Sequence, residues 1–236
     1  MVYEMKGRIR FSETGRDSHL TLPGLLNYFQ DCSAMQSEDA GIGVDYLAQN
    51  RIVWVLSFWQ VDINRYPRIG DQVRVCTVPY EFKGALGSRN YSMETETGET
   101  LAVANTLYTL LHLDKHVPVR PDENMIAGYP LGEKLNMEYL SRKISFTGEA
   151  MECDPITISQ HHIDTNDHVN NVQYVSMAAD LLPREVKVNR ILASYHISAV
   201  LGDVLYPVIY RGDESYGVDL RNAEGKSFCK VLFRFG

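Results

Sequence analysis

The sequence predicts an α+β fold in two halves, each a long helix wrapped by an antiparallel β-sheet. Three observations carry this. HLTLPGLLNYFQD (His19 to Asp31) and HVNNVQYVSMAAD (His168 to Asp180) share a leading His, the apolar spacing and a closing Asp at one constant offset. Each is followed by strand-like runs in the same order. Matching turn signals, Gly70-Asp71 with Gly202-Asp203 and Thr97-Gly98 with Glu224-Gly225, punctuate those runs. Self-similarity over so long a stretch indicates a duplicated domain rather than a solenoid.

In the first half Leu22, Leu25, Leu26, Phe29 and Cys32 recur at helical spacing behind Thr21, a fitting N-cap. RIVWVLSFWQVDI, IGDQVRVCTVPYEF and SRNYSMETETGETLAVANTLYTLLHL then predict long strands. In the second half Val172, Val175, Ala179 and Leu182 mark the helix, with Asn170 as cap and Gln173 placed to close a capping box. RILASYHISAV, LGDVLYPVIYRG and YGVDLRNAEGKSFCKVLFRF supply its strands. The polar, Pro-containing VPVRPDENMIAGYPLGEK predicts a linker, dividing the chain into domains 1–128 and 129–236.

At 236 residues, 44% hydrophobic and 22% charged, the chain has ordinary globular composition and ample length for a core. It contains no apolar run long enough to span a membrane, and MVYEMKGRIRF is no signal peptide, so a cytoplasmic location without membrane partners is expected. Cys32, Cys76, Cys153 and Cys229 are far apart and form no CxxC pair, which points to reduced, mostly buried thiols. A net charge of −7 without any Lys/Arg run argues against nucleic acid. GxGxxG and GxxxxGK[ST] are absent, and no cofactor is predicted.

QHHIDTNDHVNNVQYVSM, from Gln160, crowds three His, two Asp and three Asn between His161 and Asn171, directly before the second helix. A turn and a helix cap would use the same residue types. An extended Asp164 to His168 would in addition project Asp164, Asn166 and His168 to one side. His168 could then act as a base near neutral pH, Asn166 donate or accept through its amide, and Asp164 fix a tautomer or hold a water. The helix start behind them, at Asn170 and Asn171, would turn backbone N–H groups and its positive dipole end toward the same place, which suits an oxygen gaining negative charge. His161 and His162 match no zinc spacing and are assigned to the turn, so no metal is expected. The first half has Gly15-Arg16-Asp17-Ser18-His19 at the corresponding place and lacks the Asn, so a single catalytic site is expected.

Asp164-x-Asn166-x-His168-Val169-Asn170-Asn171, followed by Tyr174 in a buried helix, resembles the signature of the plant and bacterial acyl–acyl carrier protein thioesterases, which are tandem (double) hotdog proteins. RDSHLTLPGLLNYFQDCSAMQSEDAG is similar to that family's first-half helix, and the resemblance covers nearly the whole chain. It implies hydrolysis of a fatty acyl thioester on the carrier's phosphopantetheine arm. It also implies active-site roles for Asp164, Asn166 and His168, and an acyl cavity in the N-terminal half. Plant members carry a Glu-Cys pair on the strand after the second helix, where this chain has Ser198 and Ala199. Ser198 has no base of its own, so water activation would fall to His168.

Trp54, Phe58 and Trp59 are candidate cavity walls, with core packing as their commoner role. Arg184, Lys187 and Arg190 form a candidate docking patch for the acidic carrier, and Arg65 with Arg68 a second basic group. Rival readings are an acyl-coenzyme A thioesterase or enoyl-thioester hydratase of hotdog type, and a non-catalytic acyl-binding protein. Sheet edges able to pair chains also leave a homodimer open.

Overall fold

The computed structural model describes residues 2–236. In chain order the elements are β1 (Tyr3–Arg8), α1 (Leu22–Asp39), α2 (Val44–Gln49), β2 (Ile52–Ile63), β3 (Gln72–Lys83), β4 (Leu86–Thr95), β5 (Thr100–His112), β6 (Val117–Pro118) and α3 (Glu123–Gly128). There follow β7 (Glu149–Glu152), β8 (Ile156–Thr157), α4 (Asn171–Ala179), β9 (Val188–Tyr195), β10 (Val204–Arg211), β11 (Ser215–Arg221) and β12 (Ser227–Phe235). Short 3-10 turns at Phe11–Glu13 and Gln160–His162 precede the two principal helices.

The chain divides into two compact units, Met1–Ser57 with Ile63–Tyr139, and Phe58–Asp62 with Leu140–Gly236. In the first unit the antiparallel strands run in the order β1-β3-β4-β5-β2, with β6 on β5. Thr21 caps α1 by accepting the Gly24 N–H at 3.1 Å, and Leu22, Leu25, Leu26, Phe29 and Cys32 are all buried. In the second unit Phe58–Asp62 of β2 pairs with β9, followed by β12, β11, β10 and β7. The face of α4 carrying Val172, Tyr174, Val175 and Ala178 is buried.

The duplication extends to individual backbone bonds. In unit 1 a bridge joins Thr14 to Leu20, the Gly15 N–H donates to His19 O, and Thr21 N–H to Glu13 O. In unit 2 a bridge joins Ile163 to Val169, the Asp164 N–H donates to His168 O, and Asn170 N–H to His162 O, all at the same offset. Ser18 and Asp167 occupy equivalent left-handed positions, with φ of 63° and 59°. Asp71 accepts the Arg68 N–H and Asp203 the Val200 N–H, in turns where Gly70 and Gly202 take φ of 86° and 88°. A side chain there would be strained in that region, which explains the repeated Gly-Asp.

Three elements differ from expectation. α4 ends at Ala179, so Leu182 lies beyond the helix, in the turn where Leu182 N–H meets Ala179 O. The segment predicted as linker is ordered at its start. β6 pairs with β5, and α3, capped by Asp122 accepting the Met125 N–H at 2.9 Å, buries Met125 and is followed by the buried Tyr129. The strand predicted through ASYHISAV stops at Tyr195, because His196 and Ile197 both turn their N–H groups onto Phe228 O.

The stretch after α3 is fastened by buried amides. In unit 1 the Asn90 Oδ1, on a fully buried residue, accepts the Leu135 N–H at 3.1 Å and the Tyr139 hydroxyl at 2.9 Å. In unit 2 the buried Gln60 Oε1 accepts the Leu140 N–H at 3.0 Å. Asn90→Leu keeps the volume and removes the acceptor, leaving the Leu135 N–H without a partner while the Tyr139 hydroxyl keeps Leu135 O. A loss of about 1–3 kcal/mol is expected from denaturant unfolding.

Candidate active site

Asp164 to His168 is a tight turn and not the extended segment expected. The Ile163–Val169 bridge closes it, the Asp164 N–H donates to His168 O at 2.8 Å, and Asp167 takes the left-handed conformation. Strand alternation therefore does not place Asp164, Asn166 and His168 on one side. Asp164 Oδ1 accepts the Asn166 N–H at 2.8 Å, an Asx turn that makes this carboxylate a shaper of the loop. Among the described residues no side-chain group bonds the His168 ring or the Asn166 amide, and both are exposed. The turn presents them to solvent on a rigid frame.

That frame is held from three sides. The Val169 N–H donates to Ala199 O at 2.9 Å, and the Ala199 N–H donates to the buried Tyr174 hydroxyl at 2.7 Å. The Asn170 N–H donates to His162 O, and the Asn170 side chain caps α4 by accepting the Val172 N–H at 2.9 Å. Gln173 gives its backbone N–H to Asn170 O, and its side chain returns no bond, so the predicted capping box is absent. These bonds take up part of the donor set expected at the helix start. Asn171 contributes its carbonyl, which accepts the Tyr195 hydroxyl at 3.0 Å.

Ser198 stands on the exposed loop after β9, one residue before the Ala199 that holds Val169, so chain connectivity brings it beside the turn. β9 has already ended there, so strand alternation does not set the direction of Ser198. Phe58 and Trp59 are buried in unit 2, and Trp54 is half-buried in unit 1, where it stacks on Phe82. Arg184 and Lys187 are exposed on the segment between α4 and β9. Arg190 is not free for docking: its Nε bonds Asp62 Oδ1 across the β2–β9 pair. Arg65 is likewise held by both oxygens of Glu99.

Two supports escaped sequence reasoning. Tyr174 was visible as an aromatic on an apolar helix face, but nothing local indicates that its hydroxyl serves Ala199. In the sequence His162 reads only as a turn residue. Its buried Nδ1 accepts the Ser159 N–H at 3.0 Å, while its carbonyl holds Asn170.

Both units set a helix, 18 residues long in the first and 9 in the second, against an antiparallel sheet, which is the tandem hotdog fold. The description "Acyl-ACP thioesterase N-terminal domain" matches residues 1–129 and "Acyl-ACP thioesterase C-terminal domain" residues 148–201. The chain belongs to the acyl-ACP thioesterase family. It is 25% identical over 213 residues to a chloroplastic palmitoyl-acyl carrier protein thioesterase of Gossypium hirsutum, covering 85% of this chain and 50% of that protein. It is 23% identical to a chloroplastic dodecanoyl-[acyl-carrier-protein] hydrolase of Umbellularia californica, covering 84% of this chain and 54% of that one. The chain spans about half the length of the curated relatives it matches. Its fold superimposes on an acyl-ACP thioesterase from Bacteroides thetaiotaomicron with a TM-score of 0.90 at 20% identity, covering 100% and 98% of the two chains. The 12:0-ACP thioesterase from Umbellularia californica gives 0.81 at 17% identity, covering 100% and 97%.

Burial, and secondarily His161, lowers the pKa of His162 from its ordinary 6.5. In the window between that lowered value and 6.5 the unfolded chain binds a proton that the folded chain refuses. The His162 contribution is therefore complete above about pH 6.5 and declines as the pH falls through it. His162→Asn retains an acceptor of similar reach and does not titrate. Its melting temperature should fall less than that of the wild type between about pH 7 and pH 5.

Proposed function

We propose that the chain hydrolyses fatty acyl thioesters carried on acyl carrier protein, releasing free fatty acid and the carrier. The observation that carries the reading is the pinned turn, which presents His168 and Asn166 together on a frame shared with the Ser198 loop. Family membership supplies the thioester chemistry. On this reading His168 takes a proton from water as its oxygen attacks the thioester carbonyl carbon. The carbon–sulfur bond breaks as the tetrahedral intermediate collapses, and the imidazolium returns the proton to the departing thiolate. Asn166 stabilises the developing negative oxygen through its amide. Ser198 positions the water, and Asp164 holds the turn that fixes the spacing of the other two.

The relatives are named for palmitoyl, dodecanoyl and oleoyl chains, which sets the range of acyl lengths to compare. Arg184 and Lys187 remain the exposed cations of the patch read as a carrier-docking surface, with Arg190 removed from it by Asp62. Free fatty acid released from a panel of acyl carrier protein thioesters tests the reading. Faster turnover of coenzyme A or enoyl substrates would replace it, and bound substrate without turnover would favour a binding protein.

Three variants divide the roles. His168→Ala should lower kcat by roughly 10²–10⁴-fold with little change in melting temperature, while His19→Ala has far less effect. Equal losses would contradict a single site in the second unit. Ser198→Ala should lose about tenfold, the value of one water-positioning hydrogen bond; a loss as deep as that of His168→Ala would make Ser198 the nucleophile. Reversing the charge of Arg184 and Lys187 should raise KM for the carrier-bound substrate and leave a short acyl-pantetheine unaffected, and a parallel rise would remove the patch from docking.

A further inference from the structure

Arg89 on β4 is 7% exposed and lies in the interior of the first unit, between the sheet and α1. Its Nη1 donates to Gln36 Oε1 on α1 and to Thr77 Oγ1 on β3, the latter at 3.1 Å. Its guanidinium carbon sits 5.2 Å from the centre of the Tyr129 ring. Among the described residues Nε and Nη2 have no acceptor, and no carboxylate pairs with the group.

The acids near it do not supply the missing anion. Burial pushes the Cys32 thiol up to about 12, and it raises the Tyr108 and Tyr129 phenols as well, so all three stay neutral at physiological pH. A buried charge left without a counter-ion is strongly disfavoured, and clefts that receive a charged ligand are a recurrent place to find one.

The unused edge also has a shape. Nε and Nη2 form the side-on fork of a guanidinium, two nearly parallel donors that match the two oxygens of a carboxylate. The surroundings are apolar: Tyr129 packs with Ile42, Leu110 and Met125, and Trp54 and Phe82 lie against that cluster. A cationic fork beside a hydrocarbon-lined cluster complements an anionic head on an alkyl chain.

We propose that Arg89 anchors a second ligand site inside the first unit, one that takes the carboxylate of a hydrocarbon chain. Two sources share that chemistry. One is free fatty acid returning as a ligand; the other is the far-end carboxylate of a dicarboxylic acyl thioester. Only the second source rests on the thioesterase reading, since carboxylate binding is measurable without turnover.

Titration of the intact chain with dodecanoate, dodecanol and methyl dodecanoate, followed by calorimetry and melting, tests the site. Dodecanoate should bind roughly 10–100-fold more tightly than the two uncharged ligands, the factor expected of a charge-assisted hydrogen bond to a desolvated partner. Arg89→Met, of similar length and apolar, should lose that difference. Equal binding of all three ligands by the wild type overturns the proposal without recourse to a variant, as does full discrimination by a folded Arg89→Met. Turnover assays then separate the sources. Inhibition of dodecanoyl-thioester hydrolysis by dodecanoate, relieved in Arg89→Met, identifies the free acid. A wild-type preference for the ω-carboxy thioester, lost in Arg89→Met, identifies the substrate's far end. A wild type that binds dodecanoate and hydrolyses neither thioester refutes the thioesterase reading and leaves the carboxylate site standing.

Discussion

The second unit depends on one short relay: Val169 donates its N–H to Ala199 O, and Ala199 donates its own N–H to the hydroxyl of Tyr174. Each bond joins segments that are distant in sequence, the turn, the loop after β9 and helix α4. Without the Tyr174 hydroxyl the buried Ala199 N–H would lose its acceptor, and the loop carrying Ser198 would rest on the Val169 bond for its position relative to His168. Tyr174 is itself buried, which raises its pKa by desolvation and keeps it a neutral hydroxyl able to accept that bond. The geometry of the proposed site is thus decided within the core, one layer beneath the groups that would meet substrate.

What could be read from the sequence follows from how local each feature is. The two helices, the Thr21 and Asn170 caps, the repeated Gly-Asp turns and most strands depend on neighbours a few residues away, and periodicity reports those directly. The crowd of Asp, Asn and His likewise announced a special turn. Its conformation was misjudged, because Asp164 and Asn166 prefer to bond each other's neighbourhood through an Asx turn over lying extended. The end of β9 was hidden for a different reason. His196 and Ile197 leave the strand because both find the same acceptor, Phe228 O, on β12, and no property of ASYHISAV encodes a partner so far along the chain. The capture of Arg190 by Asp62 was equally invisible, since a cluster of cations in sequence does not say which one has an acid facing it across a sheet.

Buried polar groups sort into two kinds. Asn90 and Gln60 are placed where each amide oxygen accepts from the chain that crosses it, so their burial is compensated and their role is to fasten. Arg89 is nearly as enclosed, yet among the described residues nothing accepts from its Nε and Nη2, and its nearest acids are held neutral. The contrast matters because it lies within one protein, where a single standard of packing applies. Amides that fasten are saturated by the fold itself, and a guanidinium left with its fork open indicates a partner outside the chain.

The duplicated turn shows how the same frame came to hold different chemistry. Both copies have the bridge, the closing N–H to carbonyl bond and a left-handed residue, and these are backbone requirements that many sequences meet. The side chains complete the two turns in opposite ways. In the second unit the first turn residue, Asp164, turns its carboxylate inward to accept the Asn166 N–H, leaving the Asn166 amide and the His168 ring unengaged. In the first unit Gly15 has no side chain to do this. Asp17, at the place of Asn166, instead accepts the His19 N–H and lies 3.2 Å from the His19 ring nitrogen. In the first turn a carboxylate therefore lies beside the His19 ring, while in the second the carboxylate is turned to the Asn166 N–H and the His168 ring faces solvent. A reactive group on a tight turn requires that some different side chain shape the turn, and only the second copy divides the labour in that way.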